Sequence, residues 1–334
     1  MSRSLRGFWS RALSLGRRRV VAAAIGIAIG AAVIWVSHPA SIWKSLQEVQ
    51  AWPVILALLL NVPIVLLRAL RAQVVLRFLG YRVSLMSNVP VQLIGQTSST
   101  ITPAASGDYV RAYLWRRGSE VPLRAGAAVV TFERLYSLFL LVVVAVLLIT
   151  LPRHGFIGWV AVALALAAAT VAPVVVELAT PPALERRLVG RVTGGRLLGR
   201  FEGGAFDMVD NFRRLLRSPV LLTETSAITM AVFVLSGLQL VLLLAGLGDS
   251  IRITQAVAVY ATSQVAGILS TLPFGIGAAD AIMVTVLAGY GVSVGVSATA
   301  AVLLRAVSTL PQALAGLVAY MRLNRDIVPE AQAH

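Results

Sequence analysis

The sequence predicts an all-α polytopic membrane protein, with about six full transmembrane helices and two broken re-entrant hairpins arranged as an inverted repeat. Three observations predict it. The 334 residues are 58% hydrophobic and 13% charged, where a soluble domain carries roughly 25% charge. Basic residues cluster at alternate ends of the long apolar stretches, so that 24 of the 29 fall on one side and three on the other, the positive-inside pattern. Finally, two apolar segments are interrupted by proline and glycine beside an acidic residue, at Thr102–Asp108 and Leu272–Asp280.

Residues 1–19 form a basic cytoplasmic N-terminus (Arg3, Arg6, Arg11, Arg17, Arg18, Arg19) ahead of the apolar stretch Val20–Val36. No small-x-small cleavage site precedes His38-Pro39, so an uncleaved first span is expected. A single membrane domain then occupies 20–322. The second span, about 51–70, contains Asn61 and Pro63 and ends in Arg68, Arg71, Arg77 and Arg82, which are assigned to the cytoplasm. From Ser84 to Gly118 arginines stand at both ends and Thr102-Pro103-Ala104-Ala105-Ser106-Gly107-Asp108 in the middle. That pattern predicts a hairpin that enters the membrane and turns back.

The third span, about 125–151, carries Glu133-Arg134, and the fourth, about 157–178, returns inside. The arginine- and glycine-rich stretch 179–219 reads as a cytoplasmic loop with amphipathic helices on the anionic leaflet. The fifth span covers about 220–247. The second interrupted segment follows at about 254–290, opening to the outside, where Pro273, Gly275 and Gly277 make poor helix interior. The last span, about 296–320, contains Arg305, and 323–334 is a cytoplasmic tail.

The interrupted segments match each other. Gly118 precedes Arg134 by 16 residues and Gly289 precedes Arg305 by 16; Ser137 and Ser308 each follow three later. Repeat one covers about 51–151 and repeat two about 220–320, with opposite topology. Inverted repeats with paired broken helices near the bilayer centre belong to alternating-access carriers.

The Pro-to-Arg run of 103–111 with its Gly107-Asp108, the Glu133-Arg134 pair, and the Leu272-Pro273-x-Gly275-x-Gly277 turn followed by Asp280 together resemble the flippase-like transmembrane region of the lysylphosphatidylglycerol synthases. The resemblance covers about 20–322. It implies lipid transport and does not imply lysyl transfer. Asp280 stands where that family more often has Glu, and the first turn lacks its usual extra glycines.

The membrane-depth candidates for substrate binding are Asp108, Arg111, Glu133, Arg134, Asp280 and Arg305, with Gly107, Gly275 and Gly277 offering backbone amides. An arginine in a span costs about 2.5–3.5 kcal/mol on insertion scales, so each should be paired or face water. Two arginines from opposite repeats suit a phosphate through bidentate hydrogen bonds. The bland reading makes Glu133, Asp108 and Asp280 salt-bridge partners that let the arginines insert. Gln92, Gln96, Gln239, Gln255, Gln264 and Gln312 are candidates to line the same cavity, or to make interhelical hydrogen bonds.

No cysteine is present, and His38, His154 and His334 lie far apart, so no metal, cofactor or catalytic set is expected. The basic excess is assigned to lipid and topology, with no nucleic-acid partner. The expected function is translocation of an anionic phospholipid or polyprenyl-phosphate-linked lipid in the cell (inner) membrane, both termini cytoplasmic. Alternatives are a membrane glycosyltransferase using a lipid-linked donor, and a non-transporting partner of a lipid-modifying enzyme.

Overall fold

The computed structural model describes residues 47–150, 160, 163, 202–270 and 277–325. Among them the secondary structure is helical, with no strand. The expected span at 20–36, most of that at 157–178, the basic N-terminus, most of the arginine-rich loop, most of the tail, and Pro273 and Gly275 lie outside the described residues.

Four helical stretches are long and apolar enough to cross a membrane: Ala51–Phe78, Leu123–Ile149, Pro219–Gly246 and Val294–Leu323. They correspond to four of the six expected spans. The first is two helices, α1 (Ala51–Leu59) and α2 (Asn61–Phe78), meeting at Leu60. Asn61 and Pro63 cause the interruption: Pro63 has no N–H to donate, and the Asn61 amide donates to Leu58 O at 2.8 Å. The helix runs on to Phe78, eight residues beyond the expected end at Leu70. Arg68 and Arg71 therefore lie within the helix and partly inside the bundle, where the charge-based boundary put them at the span's end. Taking them and the buried Arg111 out of the inside count still leaves 21 basic residues against three.

Two units of like design follow one another. In the first, α2 ends at Gly80 (φ +93), whose N–H donates to Arg77 O while Tyr81 N–H donates to Leu76 O. Four residues later Ser84 caps α3 (Leu85–Ile101), accepting from Ser87 N–H. In the second, α7 (Pro219–Gly246) ends at Gly248 (φ +79) with the same pair of bonds, to Ala245 O and Leu244 O. Arg252, again four residues on, is the cap of α8 (Ile253–Leu269), its N–H held by the Gln255 side chain at 2.9 Å. Both α3 and α8 have 17 residues. A left-handed residue closing a helix is a position glycine fills at least cost.

A shorter helix follows each 17-residue helix along the chain. After α3, Thr102 is extended and a 3-10 helix, Pro103–Tyr109, leads into α4 (Val110–Ser119). The interruption expected at Thr102–Asp108 is thus a tightened helix, with one extended residue at the join. In the second unit Gly277 (φ +89) is the cap of α9 (Ala278–Gly289). Both short helices end in a left-handed residue, Glu120 (φ 54) and Gly291 (φ +94). The long helix α5 (Leu123–Thr150) then begins in the first unit, and α10 (Val294–Leu304), the start of the long stretch Val294–Leu323, in the second. A π turn, Arg305–Thr309, joins α10 to α11 (Leu310–Arg325).

The units exchange partners. Helix α3 packs on α11, α8 packs on α5, and α7 packs on α1 and α2. Such reciprocity is what a pseudo-twofold relation between two similar bodies produces. Close approach is built in, since a Cβ on Gly316 of α11 would fall 2.1 Å from Thr97 Oγ1 and 2.5 Å from Leu93 O of α3. Leu76, Trp115, Leu140, Leu222 and Phe233 centre one apolar core, and Leu240, Leu243, Leu287 and Ala300 a second. Large apolar side chains point outward from α1 and α11, among them Ile55, Leu59, Leu314 and Leu317, as a lipid-facing surface requires.

The helix of the arginine-rich loop, α6 (Glu202–Leu216), packs on α5. Leu215 is buried, Phe212 meets Phe132 edge-on, and Asp207 pairs with Arg124. Protein covers its apolar face, while Arg214 and Arg217 are exposed.

Candidate functional site

Between the two units lies a cavity of about 250 Å³. Three guanidinium groups reach it: Arg68 from α2 and Arg134 from α5 in the first unit, Arg305 from the π turn in the second. Asp280, in the first turn of α9, is the one carboxylate among its described lining residues.

Arg305 is where it is because of Pro311. That proline has no N–H for Val307 O, its partner four residues back. The helix widens to a π turn at Arg305–Thr309, and Val307 O takes its hydrogen bond from Asn61 Nδ2 at 2.7 Å. The Asn61 Oδ1 in turn accepts from Gln312 Nε2 at 2.8 Å. Gln312 and Gln96 offer their Oε1 atoms to Arg68 Nη1 at 3.4 and 3.2 Å. The interruption of the first span, the π turn of the last and the Arg68 guanidinium thus form one connected polar network. Isolated π turns of this kind occur often at functional sites.

Asp280 and Arg305 form a two-point pair, Nε–Oδ1 at 2.7 Å and Nη2–Oδ2 at 2.8 Å. The same carboxylate accepts from Gly277 N–H at 3.0 Å, so it also caps α9, where the helix dipole favours negative charge. No acidic residue near Arg305 in sequence announces this pairing; the partner lies 25 residues back.

Asp108, Arg111 and Glu133 are gathered elsewhere, in a buried cluster beside the cavity. Glu133 is 2% exposed and Arg111 1%. Glu133 accepts from Arg111 Nη1 at 2.7 Å and from Arg71 Nε at 3.1 Å. Arg111 also donates to Gln92 Oε1 at 2.7 Å and Asp108 Oδ2 at 2.9 Å, and its guanidinium lies 5.4 Å from the centre of the Trp115 ring. Arg71 donates to Ser137 Oγ at 2.7 Å and Thr229 Oγ1 at 3.0 Å. Two cations and two anions balance, the arrangement that lets charges sit in low dielectric. Here the salt-bridge reading describes the geometry.

Two of the proposed backbone amides are already engaged. Gly107 N–H donates to Thr102 Oγ1 at 2.6 Å, and Gly277 N–H to Asp280. A Cβ on Gly107 would sit 2.3 Å from Ser98 O, so this glycine lets the 3-10 helix press against α3. Gly275 lies outside the described residues. Of the glutamines, Gln96, Gln239, Gln264 and Gln312 line the cavity; Gln92 serves Arg111 and Gln255 caps α8.

Sequence reasoning missed Arg68, Arg71 and Gly95. The arginines carried a usable signal: Arg68 lies seven residues after Asn61, two turns along one helix face. Gly95 allows Arg111 to cross α3, since a Cβ there would meet Arg111 Cγ at 2.5 Å and Asp108 Oδ1 at 2.9 Å.

The family described as "Lysylphosphatidylglycerol synthase TM region" matches residues 23–316. Among curated proteins, a UPF0104 membrane protein of Methanothermobacter thermautotrophicus is 26% identical over 302 residues, covering 85% of this chain and 89% of the relative. A second UPF0104 membrane protein, from Methanocaldococcus jannaschii, is 21% identical over 295 residues, 82% and 85% of the two chains. Glycosyltransferase AglD of Haloferax volcanii is 34% identical over 100 residues, 30% of this chain and 16% of that protein.

Proposed function

The chain belongs to the lysylphosphatidylglycerol synthase transmembrane-region family, and on that premise we propose that it is a lipid translocase, not an enzyme, carrying an anionic phospholipid or polyprenyl-phosphate-linked lipid by alternating access. The observation that carries this reading is the convergence of Arg68, Arg134 and Arg305, from both units, on one polar cavity within an apolar bundle. Guanidinium forks match phosphate oxygens in geometry and charge. A lysylated, cationic headgroup fits less well: Asp280 is the one carboxylate among the described lining residues, and Arg305 already holds it.

Several features support the transport cycle. The 17-residue α3 and α8 are about 25 Å long at 1.5 Å per residue, and the helix that follows each is shorter, so each pair suits a hairpin that enters and leaves on one side. The first hairpin opens to the cytoplasm and the second to the outside, both termini lie in the cytoplasm, and the protein resides in the cell membrane. The exposed Arg214 of α6 and Arg217 just beyond it face the anionic leaflet, where the same surface is available to a lipid-modifying enzyme.

The test is translocation of fluorescent anionic lipid by protein reconstituted into vesicles. Arg134→Ala and Arg305→Ala each lower the rate by about ten- to a hundredfold, the loss expected for charge-assisted hydrogen bonds. Unaltered translocation in both variants would contradict the site. The partial likeness to a glycosyltransferase defines the competing reading, which a sugar-transfer product from a labelled lipid-linked donor and purified protein would favour.

A further inference from the structure

The two units hold their short helices in different ways. In the first, polar side chains tie α4 to both neighbours. Arg111 donates to Gln92 of α3 and to Glu133 of α5, and Trp115 Nε1 donates to Asn88 Oδ1 of α3 at 2.8 Å. Just ahead of α4, the Tyr109 hydroxyl and Thr131 of α5 share a hydrogen bond of 2.8 Å. The Arg111 and Glu133 side chains are each 1% exposed, and parting such a pair strands a charge in low dielectric.

Helix α9 is held otherwise. Two of its twelve side chains are polar, Asp280 and Thr285. Thr285 is exposed and donates to Ala281 O of its own helix. Asp280 makes the polar reach out of the helix, to Arg305 at 2.7 and 2.8 Å. The difference is written in the sequence. Three residues after Asp108 stands Arg111, and three after Asp280 stands Met283; Glu133 precedes Arg134, and Leu304 precedes Arg305. Met283 and Leu304 both pack in the second apolar core, where surfaces can part without stranding a charge. The Asp280–Arg305 pair itself faces the cavity, its side chains 16% and 28% exposed. Both partners have an alternative when it breaks. Asp280 keeps Gly277 N–H and the N-terminus of α9, which favours negative charge, and an anion in the cavity offers Arg305 another two-point acceptor.

Resting on the anionic-carrier reading above, we propose that the Asp280–Arg305 pair is a latch on α9. It holds the helix to the last span while the carrier is empty, and an anion bound in the cavity releases it. The first unit is the frame, with α4 fixed by its buried charges, and the second carries the moving gate. Such a latch keeps the empty carrier from opening.

Hydrogen exchange read by mass spectrometry tests this on the full chain in nanodiscs, since local opening sets the exchange of each helix and residues 110–119 and 278–289 report on α4 and α9 separately. Adding anionic lipid to zwitterionic discs raises exchange across 278–289 about tenfold, the scale of one charge-assisted hydrogen bond, and leaves 110–119 unchanged. Asp280→Asn gives the faster exchange without anionic lipid. Arg305→Lys, which keeps the charge and loses the planar fork, does the same if the first variant fails to fold. Equal responses of the two helices to the lipid overturn the latch, and so does exchange of 278–289 at the wild-type rate in both variants. Wild-type protein that translocates anionic lipid while 278–289 holds its exchange rate overturns the latch and leaves the carrier standing. Protein that translocates none removes the carrier reading, and the latch with it.

Discussion

Glu133 and Arg134 are neighbours in sequence and part company in the fold, because a helix turns about 100° per residue. Glu133 points into the buried cluster with Arg71 and Arg111, and Arg134 lines the cavity. Their roles diverge accordingly. Glu133→Ala leaves two buried arginines short of an anion, an effect of about 3–5 kcal/mol; thermal unfolding of the variant in detergent should show a clear loss of stability, whereas Arg134→Ala should lose transport with little change in unfolding. Gly95→Ala pushes a methyl group into the stem of Arg111 and toward Asp108. Overpacking of this kind costs about 1–3 kcal/mol, measurable in the same unfolding experiment. The separation of Glu133 from Arg134 follows from helical periodicity, so it was legible in advance. The identity of each partner was not, since Arg71 and Arg111 lie 62 and 22 residues away.

Pro311 acts at the scale of the element. A proline near the middle of a last span reads in sequence as a kink, and kinks reveal little about which side chain they re-aim. In the fold it opens the π turn that carries Arg305, and Asn61 fills the bond it leaves at Val307 O. Restoring an N–H with Pro311→Ala lets α10 and α11 run as one α-helix and turns Arg305 away from Asp280. Translocation should fall between about tenfold and a hundredfold, the scale of a site misplaced by an ångström, while the unfolding temperature holds or rises. An unchanged rate would separate the π turn from function. The first break was readable from Pro103; that it is a 3-10 helix, pressed onto α3 through Gly107, depended on packing that sequence does not display.

At the scale of the whole molecule, the sequence repeats a spacing of 16 residues between Gly118 and Arg134 and between Gly289 and Arg305. The structure adds left-handed helix ends at like places, Gly80 and Gly248, and Glu120 and Gly291. Charge alone misplaced Arg68 and Arg71, because an arginine near a span's end and one lining a polar cavity look alike in hydropathy. Opposite topology of the units has a direct check, since the chain contains no cysteine. Arg82→Cys and Ser250→Cys occupy equivalent turns of the two units. An impermeant maleimide added to whole cells should label the second and reach the first only after permeabilisation; labelling of both from outside would rule out the inverted arrangement. The central claim is that one cavity between the units holds an anionic headgroup. Its most direct measurement is an experimentally determined structure of the protein in lipid nanodiscs containing anionic lipid. The account predicts headgroup phosphate density within about 3 Å of the guanidinium nitrogens of Arg68, Arg134 or Arg305, and headgroup density confined to the outer surface, with the cavity closed to lipid, would contradict it.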